Sequence, residues 1–328
     1  MIKSFFWKAG QPVEEIDVVA DFDALAANPD VLLWIDMTDP DDKESFILTH
    51  DFHFHPLAIE DVIEEEDAIT ELARSKIDDY KNYLYVEFQI VDYISREDGI
   101  QLEDVSFFLT RNTVVTVHDK PHRIFNRLYQ RAMKDERVMS RGAEFLFHSL
   151  IDAMVDHYSI VLDYFEKEVD QIEQAVLSQP DEKTVKSIFT LRRDIYELKR
   201  IALPQKELID HIRRGHYPMV SEKAALYFRD IYDHMTRIIE LAESHRDMLI
   251  SALEVYFSSV STKTNEIIKV LTIFTVILMP PTFLVGLWGM NFHFMPELEW
   301  KYGYIFFWAV VVIITIIMIF FFKRKKWL

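Results

Sequence analysis

The pattern of apolar and polar positions changes character along the chain. Up to about residue 120, short runs rich in β-branched and aromatic residues predict strands at 31–36, 83–90, 105–109 and 113–117. Arg111 and Asn112, between the last two, read as a two-residue hairpin turn. His55-Pro56 followed by a run to Ile63 reads as a helix with proline at its first position. This alternation predicts an α/β domain over 1–121. From about residue 122 the spacing changes to three and four, as in Leu146, Leu150, Ala153, Met154, His157 and Val161. Pro180, Pro204 and Pro218 are expected to divide this helical region, 122–220, into long helices. The next stretch, 221–291, meets no breaker before Pro280 and predicts one stalk helix of roughly 100 Å at 1.5 Å per residue. A rod of that length exceeds any single core, so other chains must cover it or it projects from the body.

Two nineteen-residue runs, 270–288 and 304–322, carry no charge, and each is long enough to cross a bilayer. The stalk helix therefore continues into a first membrane segment, about 270–290. An external loop follows at 292–303, then a second segment at 304–322 and a basic tail at 323–328. Lys263, Lys269 and Lys323-Arg324-Lys325-Lys326 flank the outer ends of the pair, whereas the loop sets Glu297 and Glu299 against Lys301. Positive residues stay inside, so both termini are expected in the cytoplasm and the protein in the inner (plasma) membrane. The second segment has only Thr315 as a polar residue and suits lipid. The first carries Asn265, Thr272, Thr275, Met279, Thr282, Gly286 and Gly289, which with Ile268 and Leu271 fall within about a third of the helical circumference. Such a stripe packs against other helices or lines a pore.

Composition narrows the function classes. The formal charge of −18 argues against nucleic acid as a partner, since phosphate binding needs clustered Lys and Arg. It is compatible with attracting cations. Without cysteine there are no disulfides and no thiolate metal sites. The first residues lack the apolar core of a signal peptide, so the N-terminal part is expected in the cytoplasm. Seven glycines leave little material for a nucleotide-binding loop. No nucleophile elbow or His-Glu-x-x-His signature is present, so an enzyme is not expected.

Trp288-Gly289-Met290-Asn291-Phe292 closes the first membrane segment, followed by Met295-Pro296-Glu297-Leu298. Gly-Met-Asn at the end of the first of two C-terminal membrane helices resembles the CorA magnesium and cobalt transporters. Ser261-Thr262-Lys263-Thr264-Asn265, Lys269-Val270-Leu271-Thr272, Tyr302-Gly303-Tyr304, His55-Pro56-Leu57 and the segment from Tyr227 to His234 also resemble that family. Trp288 in place of the usual tyrosine, the doubled Pro280-Pro281 and Ser75 in place of a frequent proline depart from its pattern. The resemblance implies an α+β membrane protein that assembles as a homopentamer, with first membrane helices around one pore and second helices outside. It implies Mg2+ as the main cargo, with Co2+ and Ni2+ also carried. Gly289, Met290 and Asn291 would then form the selectivity filter, and Asn265, Ile268, Leu271, Thr272, Thr275, Met279, Thr282 and Gly286 the pore lining. It further implies that Asp61 and Asp230 share a regulatory Mg2+ between neighbouring subunits, with Glu60, Asp152 and Asp156 nearby.

A chemical reason supports the motif. Mg2+ sheds water reluctantly, so neutral oxygens from Asn291 and the carbonyls of Gly289 and Met290 suit a hydrated ion better than a tight carboxylate ring. Transport is then passive, driven by about 2.3 kcal/mol per charge per 100 mV. The alternatives are a zinc transporter of the same architecture, which Met290 counts against, and a membrane-anchored scaffold, which would not need the polar stripe. The acidic run Glu64-Glu65-Glu66-Asp67 reads as solvated surface, and His50, His53 and His55 leave zinc binding open.

Overall fold

In the computed structural model, residues 1–16, 25, 28, 30–63, 75–94, 99–178, 181–291, 293 and 295–327 are described. The acidic run 64–67 and Phe292 lie outside them. Two compact units are present, Met1–Ala252 and Leu253–Leu328.

A seven-stranded sheet organises the first unit. Its strands are β1 (Ile2–Lys8), β2 (Glu14–Glu15), β3 (Val31–Thr38), β4 (Lys76–Asp79), β5 (Leu84–Tyr93), β6 (Ile100–Leu109) and β7 (Thr113–His118). They lie in the order β2-β1-β3-β7-β6-β5-β4, with only β3 and β7 parallel. The β6–β7 hairpin turns at Arg111 and Asn112, where Thr110 donates its backbone N–H to the Thr113 carbonyl at 2.9 Å. Strands β3 and β7 are buried at every residue, because helices cover both faces of the sheet.

Helices α1 (Asp42–His50) and α2 (Pro56–Ile63) close one face. Leu48, Ala58 and Ile59 pack there with Phe54 onto Ile35, Met37, Phe108, Val115 and Val117. The opposite face carries α3 (Arg123–Lys134) and α4 (Ala143–Ser178). Tyr129 of α3 stacks on Phe5 and Trp34, and Phe147 of α4 meets Phe107 edge-on. Buried Asp36 accepts hydrogen bonds from Tyr129 and Thr116 and faces His118 Nε2 at 3.2 Å. Burial alone would lower the His118 pKa. Bonds to Asp36 and Glu103 outweigh it and raise the value to about 9, so a charged pair crosses this face.

Helix α5 (Glu182–Arg214) runs through Pro204, which the sequence pattern expected to divide it. Proline removes one ladder hydrogen bond, yet buried Ile201, Ala202, Gln205 and Leu208 on either side hold the helix together. Helix α6 spans Glu222–Trp288 without interruption, Pro280 and Pro281 included. Its buried positions in the first unit follow a spacing of four and three, Ala224, Phe228, Ile231, Met235, Ile238, Ala242, His245, Leu249 and Ala252, with Ile239 buried beside them. That is a coiled-coil seam, and it stops at Ala252, where the first unit ends.

In the second unit, the rest of α6 is followed by α7 (Pro296–Glu299) and α8 (Gly303–Arg324). Helices α4, α6 and α8 are each long and apolar enough to cross a membrane by length and composition. Burial separates them: 56% of the most apolar stretch of α4 is inside the protein, against 6% for α6 and α8. Helix α4 is a core helix of the sheet, and the other two present apolar surface that water would not tolerate.

Candidate functional site: an uncovered polar stripe and a carboxylate cluster

The membrane part of α6 has two unlike faces. Ile273 is buried, and Val276, Ile277, Pro280, Leu284 and Trp288 are partly covered. Trp288 meets Phe307 of α8 with ring centres 5.6 Å apart, and Lys269 Nζ donates to the Lys326 carbonyl at 3.3 Å. Asn265, Ile268, Leu271, Thr275, Met279, Thr282, Gly286 and Gly289 are exposed, with Thr272 at the margin. On a helical wheel at about 100° per residue the stripe lies roughly 150° from the covered face. The polar stripe is thus left bare, together with apolar neighbours such as Phe274, Leu278 and Val285.

Three hydroxyls on the stripe are satisfied locally. Thr272, Thr275 and Thr282 donate to the carbonyls of Ile268, Leu271 and Leu278 at 2.7, 2.8 and 2.8 Å. Thr315, the polar residue of α8, does the same to Val311 at 2.9 Å. A threonine bonded this way costs little in an apolar medium, because its donor is never orphaned. Helix α6 ends at Trp288. Gly289 N–H still reaches the Val285 carbonyl at 2.9 Å and Met290 N–H the Leu287 carbonyl at 3.4 Å, after which Asn291 stands exposed outside the helix.

A second group of candidate residues lies in the first unit. Asp152 and Asp156 of α4 and Asp230 of α6 come together: burial first, then repulsion from Asp156 and Asp230, raises the Asp152 pKa. His234, one turn beyond Asp230, lies 3.6 Å from Asp156 through Nδ1 and 3.1 Å from the Ser159 hydroxyl through Nε2. Sequence reasoning did not single out this histidine, although the segment that holds it was part of the resemblance. Asp61 and exposed Glu60 sit on α2 instead. Asp61 accepts from Lys76 Nζ at 2.6 Å, and that lysine also reaches Asp78 at 3.2 Å. The Lys76 pKa is raised chiefly by the Asp61 bond, so within one chain this carboxylate already has a cationic partner.

His50, His53 and His55 do not converge. His50 bonds Asp51 at 2.8 Å and stacks on Phe46, His53 has a left-handed backbone with φ 56°, and His55 Nδ1 accepts the Leu57 N–H.

A helix-covered sheet unit is followed by two apolar helices, one of which bears an exposed polar stripe, and this build suits a protein held in a membrane. Comparison with known proteins makes this specific. Residues 29–324 match the family model for the CorA-like Mg2+ transporter protein. The cobalt/magnesium transport protein CorA of Thermotoga maritima is 37% identical over 278 residues, covering 84% of this chain and 78% of that protein. The magnesium transport protein CorA of Campylobacter jejuni is 25% identical over 92% of each chain. Among solved structures, the CorA magnesium transporter of Methanocaldococcus jannaschii aligns with a TM-score of 0.85 at 21% identity, covering 100% of this chain and 99% of that one. The ZntB cytoplasmic domain of Vibrio parahaemolyticus aligns with a TM-score of 0.63 at 14% identity. The chain belongs to the CorA-like Mg2+ transporter family, and it is a membrane-embedded transporter of divalent cations.

Proposed function

We propose that the protein is a homopentameric channel-type transporter that carries mainly Mg2+, with Co2+ and Ni2+ also accepted, passively down the membrane potential. The observation that carries this reading is the bare stripe on α6, opposite the face turned toward α8. Five copies placed around an axis would cover that stripe against one another and enclose a path lined by Asn265, Ile268, Leu271, Thr272, Thr275, Met279, Thr282 and Gly286. The exposed Asn291 amides, with the carbonyls of Gly289 and Met290, would meet the ion as the selectivity filter. The names of the relatives support Mg2+ and Co2+ as cargo, and Met290 speaks against the zinc reading. The flanking Lys269 and Lys323-Arg324-Lys325-Lys326 support a reading with the first unit and both termini in the cytoplasm and the transporter in the inner (plasma) membrane.

Regulation follows from the carboxylates. Asp152, Asp156 and Asp230 offer only oxygen donors and repel one another when bare, which suits a hard divalent ion. In the proposed assembly, internal Mg2+ held by Asp61 of one subunit and Asp230 of the next, with Glu60, Asp152 and Asp156 nearby, ties neighbours together and favours a closed pore. Lys76 competes with that ion for Asp61, which tunes the site toward weak binding.

Flux into liposomes holding the purified protein tests the reading. Wild type is expected to admit Mg2+ and Co2+, and Asn291→Ala to lose uptake or discrimination while keeping its oligomeric size. No Mg2+ flux from wild type would leave only a tethered scaffold, and selective Zn2+ flux would favour the zinc reading. An Asn291→Ala protein as selective as wild type would remove the filter assignment.

A further inference from the structure

The first unit holds a second cluster of metal-binding chemistry, unlike the carboxylates in composition and place. Asp92 lies near the end of β5, His122 caps the N-terminus of α3, and His157 lies on the sheet-facing helix α4. One ligand atom from each falls within 4.8 Å of the other two. Asp92 Oδ1 is 3.4 Å from His157 Nε2, and Asp92 Oδ2 is 3.9 Å from His122 Nε2. The two imidazole rings stand edge to face, 5.1 Å apart at 86°.

These separations are long for hydrogen bonds between a carboxylate and an imidazole, which close to about 2.7–3.0 Å when made. The shorter one fits a shared ion, and the longer one would close on binding. Ligands about 2.0–2.1 Å from a tetrahedral metal lie about 3.4 Å from one another. His122 and His157 are nearly enclosed, with side chains 10% and 15% exposed, while Asp92 at 50% leaves the cluster open to solvent on one side. That opening supplies an entry path and room for a water as fourth ligand. The Tyr93 N–H donates to Asp92 Oδ1 at 3.0 Å and orients the carboxylate.

We propose that Asp92, His122 and His157 form an intrachain site for a borderline transition-metal ion of the Zn2+, Co2+ or Ni2+ class. Two imidazoles and one carboxylate favour such ions and give Mg2+, which demands oxygen ligands and six-fold geometry, little reason to bind. The site joins β5, α3 and α4 within one chain, so it needs no neighbouring subunit. His122 Nδ1 now accepts the Ile124 N–H at 3.2 Å. Metal on Nε2 moves the ring proton to Nδ1 and releases that cap, which couples occupancy to the first turn of α3. The soluble unit would thereby register softer ions separately from Mg2+.

The test uses the full chain in detergent, with excess Mg2+ present to fill the oxygen-only sites. Zn2+ is added at one equivalent per chain, and X-ray absorption at the zinc edge counts its nitrogen neighbours. About two imidazole nitrogens are expected. His157→Gln and Asp92→Asn should each weaken Zn2+ binding by about tenfold or more, judged against the losses seen when metal-site partners are removed. His50→Gln, an exposed control, should leave it unchanged. Displacement of Zn2+ by Mg2+, or a zinc edge without imidazole scattering, overturns the proposal on wild type alone. Unchanged affinity in His157→Gln does so as well and would reduce the cluster to a structural contact.

Discussion

Gly289 and Gly286 sit one turn apart and bear different burdens. A Cβ on Gly289 would meet the Val285 carbonyl at 3.0 Å, the same oxygen that accepts the Gly289 N–H. That carbonyl cannot retreat without giving up the bond that ends the helix. A Cβ on Gly286 meets nothing within 4 Å. Gly289→Ala is therefore expected to cut Mg2+ flux sharply through the local backbone, at unchanged expression. Gly286→Ala should disturb flux only if a neighbouring chain approaches that spot, so equal flux in the two variants would break the distinction. Asp152 poses a charge problem of similar scale. Its raised pKa means that the folded chain holds the proton more tightly than the unfolded one. The associated stability is present below the ordinary carboxylate value of 3.8 and is lost as pH rises through the raised value. At neutral pH without metal, Asp152→Asn should raise Tm, by about 2–4 °C for each kcal/mol of repulsion relieved, and should shrink the further rise that Mg2+ gives wild type. Calorimetry that finds a lower Tm for the variant would mean that the carboxylate has a partner it needs.

At the scale of elements, the seam of α6 is regular except at one position. His245 occupies a core slot, with Nδ1 buried and unpartnered. Burial lowers its pKa, while Glu166 and Asp170 on α4 pull the other way. Its folded value lies below the unfolded 6.5, so stability present above that pH is lost as pH falls through the folded value. His245→Leu should add about 1–3 kcal/mol by removing the orphaned atom, and should flatten the loss between pH 7 and 5 in thermal melts. A wild-type melt independent of pH over that range would argue against it. The same helix shows what periodicity reveals. Its length, the two apolar helices and the polar stripe were legible because each is a local repeat. Strands 31–36, 83–90, 105–109 and 113–117 were legible for the same reason, and the structure extends them by a few residues. Strands β1, β2 and β4 were not; in β4, Lys76-Ile77-Asp78-Asp79 offers one β-branched residue and exists through its pairing with β5. The Lys76–Asp61 contact was hidden with it, because it depends on β4 reaching α2. Pro204 misled for the opposite reason: a strong local breaker was overridden by packing.

For the molecule as a whole, charge and repetition meet. Each chain carries −18, so five copies would carry 5 × 18, or −90, before any ion binds. Cations are then part of what holds such an assembly together. Asp230→Lys supplies a fixed positive charge where the proposal places a Mg2+, and it should keep the first unit protected from protease without Mg2+. Wild type should need Mg2+ for the same protection. Identical, Mg2+-independent digestion of both would return these carboxylates to the ordinary surface.

Thr272, Thr275 and Thr282 spend their only hydrogens on their own backbone, which leaves oxygen lone pairs as the free polar feature of each hydroxyl. Repeated around the proposed axis, these rings make a wall that accepts hydrogen bonds and cannot give them. A chloride or phosphate ion needs donors to replace its water and finds none there. A hydrated Mg2+ turns the hydrogens of its bound water outward and meets acceptors on every side. Beyond the Asn265 amides at its inner end, which can also donate, the proposed lumen would sort ions by sign without a charged side chain, through the direction in which three hydroxyls point.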